Sequence, residues 1–216
     1  MNTALLLVDL QNDFCPGGAL PVSEGDSVIA VANHVINACL NLDIPIIASQ
    51  DWHPVEHRSF AVNSNAEPWT IGDLNGLAQV WWPVHCVQDT LGSAWHPQLQ
   101  HEAIMATFRK GQDPEIDSYS AFFDNDRRAK TLLDDWLKQQ DINHLLVMGL
   151  ATDYCVKYSV LDALALGYKA TVIVDGCRGV NIQPQDSQQA FDAMRDAGAE
   201  LLTLAQLLDP VNTNQK

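Results

Sequence analysis

The chain has 216 residues, of which 47% are hydrophobic, and a formal net charge of -15 at pH 7. This length fits one domain with a substantial core, and the composition excludes a disordered chain. The negative charge argues against nucleic acids and anionic membrane surfaces as partners, although a solvated acidic surface explains it equally well.

The cysteine pattern and the N-terminus indicate a soluble cytoplasmic protein. The cysteines are odd in number and have no Cys-x-x-Cys spacing, which suits a reducing compartment better than a disulfide framework. The first apolar run lacks a preceding basic region and is interrupted at Asp9, so it does not resemble a signal peptide. No apolar run reaches membrane-spanning length. Whether the protein is a monomer or a homo-oligomer stays open. The five cysteines are Cys15, Cys39, Cys86, Cys155 and Cys177.

Short apolar runs alternate with segments of helical periodicity along most of the chain. This alternation predicts an α/β fold, a doubly wound six-stranded parallel sheet with helices on both faces. The tail after residue 210 is polar, and we expect it to be frayed. The predicted strands are residues 4–8, 45–49, 103–108, 145–150, 169–174 and 200–204, and the predicted helices are residues 27–42, 126–139, 152–167 and 184–197.

Residues 51–100 interrupt this alternation with tryptophans, histidines and prolines. A segment of this length without periodicity is too long for a passive connection and is more often functional. We therefore predict a single domain over residues 1–216 that carries a functional insertion at about residues 51–100.

The segment from His144 to Tyr168 organises the rest of the chain. Its first half is continuously apolar, as in a strand buried on both faces, and its second half has helical spacing up to Gly167. Thr152 is a good N-cap, which places Cys155 in the first helical turn. Free N–H groups and the helix dipole favour a thiolate there, so Cys155 is a candidate nucleophile. The alternative is a buried structural cysteine, which position alone favours.

Reactive side chains follow the predicted strands one after another. In open α/β sheets, ligands bind at the carboxyl ends of the strands, so we predict the active site at that rim. Each residue also has an ordinary alternative role, Asp9 as a turn former and Lys110 as a solvated lysine. The rim residues are Asp9, Asp51 with His53, Lys110, Cys155 and Asp175.

Two of these residues suit acid–base and electrostatic roles beside a nucleophile. Burial behind a hydrophobic strand would raise the pKa of Asp9 and suit a proton shuttle. Lys110 could hold Asp9 ionised, or could stabilise a thiolate and a developing oxyanion.

The Asp51-Trp52-His53 pattern suggests a metal site. One further histidine from the insertion, His57 or His85, would complete a two-histidine, one-carboxylate set that suits zinc, manganese or iron. The pattern alone is weak, and a set of surface or core histidines is the alternative.

Four motifs carry a resemblance that spans the chain from Leu5 to about Leu204. The first resembles the opening of the isochorismatase-like cysteine hydrolase superfamily, and the other three resemble its nicotinamidase/pyrazinamidase family. The Lys110 and Cys155 segments are the most specific. The motifs are LLLVDLQNDFCPGGAL, DWHPVEHRSF, FRKGQDPEIDSYSAFFD and MGLATDYCVKYSVLDALALGY.

The resemblance implies a role for each matching residue. It implies a cis peptide before Ala151 and a pocket for nicotinamide as the small-molecule substrate. His57 is placed beside the metal ligands and not among them. The implied catalytic residues are Asp9, Lys110 and Cys155, the oxyanion donors are the N–H groups of Ala151 and Cys155, the ligands of one divalent metal ion are Asp51, His53 and His85, and the aromatic pocket walls are Phe14, Trp82 and Tyr119.

The resemblance further implies hydrolysis of nicotinamide to nicotinate and ammonia through a cysteine thioester, in NAD salvage, with pyrazinamide as another substrate. Two alternatives stay open. The same superfamily contains N-carbamoylsarcosine amidases, ureidoacrylate amidases and isochorismatases, against which the metal-ligand pattern argues. The chain could also be a catalytically silent α/β binding module with an inert cysteine.

Overall fold

The computed structural model describes residues 2–209, and a six-stranded parallel sheet forms their centre. This confirms the predicted fold class. Two further strands, β3 and β4, form a separate antiparallel hairpin. The strands are β1 (Thr3–Val8), β2 (Ile46–Asp51), β3 (Ile71–Leu74), β4 (Leu77–Val80), β5 (Ala106–Lys110), β6 (His144–Leu150), β7 (Lys169–Arg178) and β8 (Glu200–Leu202).

Every residue of β6 and residues 4–8 of β1 are buried. Neighbouring side chains of a strand point to opposite faces, so both faces of the sheet are covered, as the continuous apolar runs predict. Within residues 2–209, no helix is both long and apolar enough to cross a membrane. The helices are α1 (Ser27–Asn41), α2 (Leu133–Gln139), α3 (Lys157–Ala165), α4 (Asp186–Asp196) and α5 (Leu204–Leu208).

The order of the strands determines where a site can form. The strands of the central sheet are arranged as β5-β2-β1-β6-β7-β8, so the chain builds one half outward from β1 and the other half outward from β6. The order therefore reverses between β1 and β6, which are direct neighbours. A crevice opens at the carboxyl ends of two such strands. The segments that begin at Asp9 and Ala151 flank it.

The predicted insertion contains regular structure that periodicity did not indicate. The β3–β4 hairpin turns at Asn75 and Gly76, whose φ angles are 54° and 90°. Two consecutive positive φ angles define a tight hairpin turn for which Asn-Gly is the preferred pair. The Asn-Gly signal was present in the sequence, but the strands that flank it are only four residues long.

Several predicted elements differ from the structure at their ends. The strand predicted over residues 103–108 is Ala106–Lys110, since residues 101–103 form a 3-10 turn. Side-chain hydrogen bonds explain two further differences. The helix predicted over residues 126–139 begins only at Leu133, because the Asp124 carboxylate accepts N–H groups of Asp126, Arg128 and Ala129 and folds the preceding segment into a turn. The last strand ends at Leu202, since Thr203 starts α5 with a capping box. The prediction for the tail after residue 210 lies outside the described residues.

Gly149 allows β1 and β6 to approach each other at the crevice. Its φ is 136°, and a Cβ atom there would overlap the backbone of Val8. We expect Gly149→Ala to lower the free energy of unfolding by more than about 3 kcal/mol, because backbone atoms cannot move aside as a side chain can. Urea denaturation measures the loss.

Gly167→Ala is the matched control for this variant. Gly167 also has a positive φ, 92°, but no atom lies within 4 Å of the added Cβ. The free energy of unfolding of Gly167→Ala should fall by only about 1 kcal/mol, because the substitution strains the backbone alone. Equal losses in the two variants would show that the close approach to Val8 is unimportant.

Candidate active site

The ends of three neighbouring strands bring together two acids and a lysine. Asp9 directly follows β1, Asp51 is the last residue of β2, and Lys110 is the last residue of β5. Asp51 and Lys110 are paired across the sheet. All three side chains are almost completely buried. The predicted convergence of these residues at one rim is therefore present.

The Lys110 ammonium group contacts each neighbouring reactive group. Its Nζ atom lies 2.5 Å from Asp51 Oδ1 and 2.9 Å from Asp9 Oδ2. It also donates to the Ser118 carbonyl at 3.0 Å and lies 3.4 Å from Cys155 Sγ. Burial alone would lower the pKa of this ammonium, but the Asp51 and Asp9 carboxylates raise it well above its usual value. Lys110 is therefore a permanent positive charge in the site.

The two carboxyl groups differ in their pKa although they share one lysine. Burial would raise the pKa of Asp51, but Lys110 and His53 hold it well below its usual value. Burial is also the largest influence on Asp9, and there it outweighs Lys110, so the pKa of Asp9 is raised. Among the described residues, none makes an aligned hydrogen bond to Asp9 Oδ2. Asp9 is therefore the carboxyl group suited to take up a proton.

Cys155 lies on a turn whose geometry differs from the predicted helix start. The peptide between Leu150 and Ala151 is cis, as the resemblance implies. The next turn is π-helical, and the Val156 N–H donates to the Ala151 carbonyl at 3.1 Å. The prediction of Thr152 as N-cap is wrong, because Ala151 occupies that position and Thr152 Oγ1 has no hydrogen-bond partner among the described residues. Single π-helical turns are frequent at functional sites.

The expectation of a thiolate at Cys155 is also wrong for the resting protein. Burial raises the pKa of the Cys155 thiol well above its usual value, and this effect outweighs the nearby Lys110 ammonium. The thiol lies within 4.8 Å of carboxylate oxygens of both Asp9 and Asp51. Cys155 therefore needs a base to accept its proton, and Asp9 is within reach.

Asp51, His53 and His85 form a donor set that fits a divalent metal ion. Asp51 Oδ2 lies 3.4 Å from His53 Nε2 and 3.6 Å from His85 Nε2. His53 Nδ1 donates to the Gly111 carbonyl and His85 Nδ1 to the Pro83 carbonyl, each at 2.8 Å. A carbonyl only accepts, so both Nδ1 atoms carry the proton and both Nε2 atoms keep a lone pair. Such a bond on the other ring nitrogen orients a metal-binding histidine.

His57 lies against His53 but has no free ring nitrogen for a metal. Its Nδ1 accepts hydrogen bonds from the backbone N–H and the hydroxyl of Ser59, at 3.1 and 2.8 Å. Its Nε2 therefore carries the proton and donates to the Ile116 carbonyl at 3.3 Å. Burial lowers the pKa of His57 to about 4, so the ring stays neutral near pH 7.

A pocket beside Cys155 is lined by metal-ligand candidates and by aromatic rings. Phe14, Trp82 and Tyr119, the aromatic residues that the resemblance implies, all line it. Sequence reasoning missed four lining residues. Leu20, Asp117 and Tyr154 stand in the quoted motifs and could have been found there, whereas no local signal marks Val180. The missed residues are Leu20, Asp117, Tyr154 and Val180.

Asp175 does not belong to the site. Strand β7 continues to Arg178, so Asp175 lies inside the strand and not at its end. Its carboxylate accepts the N–H of Leu204 at 2.8 and 3.1 Å and so caps α5. Its predicted place at the rim is therefore wrong.

The geometry agrees with a match to a known family. An isochorismatase domain matches residues 3–206. The chain belongs to the isochorismatase family. The resemblance found in the motifs is thus confirmed, and it extends over most of this isochorismatase-family protein.

Known relatives include amidases of this family. The chain is 63% identical to the nicotinamidase of Escherichia coli strain K12 over 202 residues, which are 94% of this chain and 95% of that protein. A solved nicotinamidase/pyrazinamidase from Acinetobacter baumanii superposes with a TM-score of 0.90 at 38% identity, covering 96% and 98% of the two chains. A pyrazinamidase from Pyrococcus horikoshii solved with zinc has a TM-score of 0.78 at 32% identity, with coverage of 94% and 99%.

Removal of the Lys110 charge should destabilise the metal-free protein in a pH-dependent way. Lys110→Met leaves Asp9 and Asp51 buried without their cation, which costs about 3–5 kcal/mol near pH 7. Burial then raises the pKa of both carboxyl groups, so the folded variant binds protons that the unfolded chain, with a carboxyl pKa near 3.8, does not. The loss should therefore shrink as the pH falls toward 4. Urea denaturation in the presence of a chelator measures it.

Lys130→Met controls for the loss of a lysine. Lys130 is exposed and forms a surface ion pair with Asp135, so its removal should have little effect on the free energy of unfolding. A Lys110→Met loss that does not change with pH would contradict the assignment of Lys110 as the counter-ion of two buried carboxylates.

Proposed function

We propose that this isochorismatase-family protein is a nicotinamidase that hydrolyses nicotinamide to nicotinate and ammonia through a thioester on Cys155. One observation carries the proposal, namely that Cys155 lines the same pocket as Asp51 and His85. The nucleophile and two of the metal-ligand residues would thus contact the same small substrate. Pyrazinamide, which keeps the ring nitrogen, is a further substrate.

The first half-reaction forms the thioester. Asp9 takes the thiol proton while Sγ bonds to the carboxamide carbon, and the carbonyl oxygen becomes an oxyanion. The N–H groups of Ala151 and Cys155 stand at the start of the π-helical turn, where backbone donors lack intrahelical acceptors, and they hold this oxyanion. Asp9 then gives its proton to the departing nitrogen, and ammonia leaves.

The second half-reaction releases nicotinate. Asp9, ionised again, takes a proton from a water molecule as the water oxygen attacks the thioester carbon. The carbon–sulfur bond breaks, and the proton on Asp9 returns to Sγ. Lys110, 2.9 Å from Asp9 and 3.4 Å from the sulfur, stabilises each negative charge as it appears.

Asp51, His53 and His85 would hold a divalent metal ion, and zinc, manganese and iron all suit these donors. When bound, the ion would act as a Lewis acid toward the pyridine nitrogen and so orient the carboxamide toward Cys155. The chain itself packs Phe14, Trp82 and Tyr119 around the ring.

The proposal also covers the location of the enzyme and its domain organisation. The five cysteines are all unpaired, which favours a cytoplasmic enzyme. The chain acts as one domain whose insertion at about residues 51–100 supplies the metal ligands.

A comparison of nicotinamide with benzamide distinguishes recognition of the substrate by the metal from recognition by shape alone. The two amides have nearly the same size, but benzamide has C–H in place of the ring nitrogen. A site that is built for a polar contact lowers kcat/KM for an analogue without the polar group by about ten-thousand-fold. Discrimination by apolar shape alone lowers it by only about ten- to two-hundred-fold. We expect kcat/KM of the metal-loaded enzyme to be about ten-thousand-fold lower for benzamide than for nicotinamide. Release of ammonia measures both values.

Pyrazinamide and Cys155→Ala are the controls for this comparison. Pyrazinamide should retain activity, and Cys155→Ala should release no ammonia from any of the three amides. Similar specificity constants for nicotinamide and benzamide would refute metal positioning. No release of ammonia from nicotinamide would refute the proposed function.

A further inference from the structure

Asp117 is a buried carboxyl group in the substrate pocket that the mechanism above does not use. It is only 3% exposed and lines the pocket together with Asp51 and His85. Its Oδ2 accepts a hydrogen bond from Gln79 Nε2 at 2.9 Å, and its Oδ1 accepts the Ser118 N–H at 2.8 Å. Two donors that point at a carboxyl group stabilise its ionised form. Asp117 is therefore a fixed negative charge in a buried part of the pocket lining.

This charge lies beside His53, one of the two metal-ligand histidines. A carboxylate oxygen of Asp117 and ring nitrogens of His53 and His57 lie within 4.8 Å of one another. Both His57 nitrogens are engaged by Ser59 and Ile116. Of these two histidines, only His53 belongs to the proposed ligand set, so Asp117 lies beside one ligand of the metal.

The buried charges of the site balance only when Asp117 is included. Lys110 and a divalent ion together bring three positive charges, whereas Asp9 and Asp51 bring two negative ones while Cys155 is a neutral thiol. An uncompensated charge in a buried site is costly.

We propose that Asp117 is a metal-positioning residue, which holds the divalent ion by charge from beside His53 without being one of its ligands, and that Gln79 fixes its orientation. This inference rests on the metal site of the proposed function. It assigns the β3–β4 hairpin, which carries Gln79, to the control of metal affinity.

A structural role alone does not explain the residue. Gln79 Nε2 also lies 3.3 Å from the Tyr119 hydroxyl, and Asn75 at the turn of the hairpin donates to the Glu115 carbonyl at 2.7 Å. The hairpin therefore stays anchored without Asp117, and a neutral acceptor would serve it without the cost of burying a charge.

The test compares metal affinity in three variants. Asp117→Asn keeps the shape and removes the charge, so zinc should bind about 10- to 100-fold more weakly, the range found when partners of metal ligands are lost. Gln79→Met keeps the volume and removes the orienting bond, so it should weaken zinc less. Asp113→Asn removes an exposed acid that accepts the Glu115 N–H and should bind zinc as the wild type does. Competition with a chromophoric chelator measures affinity, and thermal unfolding confirms that each variant folds.

A second readout distinguishes charge from shape. At saturating zinc, Asp117→Asn leaves the site one unit more positive, so the anion nicotinate should inhibit more strongly. The ratio of its inhibition constant to the KM of neutral nicotinamide should fall several-fold. A purely structural defect would weaken the binding of nicotinate and of nicotinamide together.

The outcomes separate this inference from the proposed function. Zinc affinity and nicotinate inhibition equal to the wild type in both Asp117→Asn and Gln79→Met would overturn the role of Asp117 alone. Should Asp117→Asn fail to fold, Gln79→Met decides, since unchanged zinc affinity there would overturn the inference. A wild-type protein that binds no divalent metal would overturn the metal site and this inference together.

Discussion

The ammonium group of Lys110, buried between the carboxylates of Asp9 and Asp51, is the charge on which the rest of the site depends. Three buried charges are tolerated only because their separations are 2.9 and 2.5 Å and because parallel strands of one sheet fix the backbone from which each side chain extends. The shared lysine leaves Asp51 ionised and available as a ligand, whereas the pKa of Asp9 is raised. In the proposed mechanism, this difference in pKa suits Asp51 to bind the metal and Asp9 to transfer the proton.

The reversal of strand order beside β1 places Cys155, the proposed nucleophile, next to this cluster. Strand β6 pairs directly with β1, so the turn after Leu150 delivers Cys155 to the crevice that Asp9 borders. The sheet alone does not close the pocket, and the insertion supplies His53, His85 and Trp82 for that purpose. The same insertion brings Gln79 to Asp117, so the part of the chain with the least periodicity builds the substrate wall.

The sequence predicted those features that follow from strand ends. Asp9, Asp51 and Lys110 could be placed together because each follows or ends an apolar run, and parallel strands bring such ends to one edge. Features set by tertiary contacts could not be predicted. The thiol pKa of Cys155 depends on burial from every side, which outweighs the helix-start effect that sequence reveals. Asp175 was misplaced because β7 continues beyond its apolar run into residues that the sequence marks as a loop.

The central claim is that Cys155 forms a covalent thioester with the nicotinoyl group. Rapid acid quenching of the metal-loaded enzyme during turnover of nicotinamide, followed by peptide mapping with mass spectrometry, tests it directly. We expect the nicotinoyl group on the peptide that contains Cys155, appearing with the first ammonia released and decaying as nicotinate forms. Steady release of ammonia with no acylated peptide at any time, or acylation of a different residue, would contradict the account.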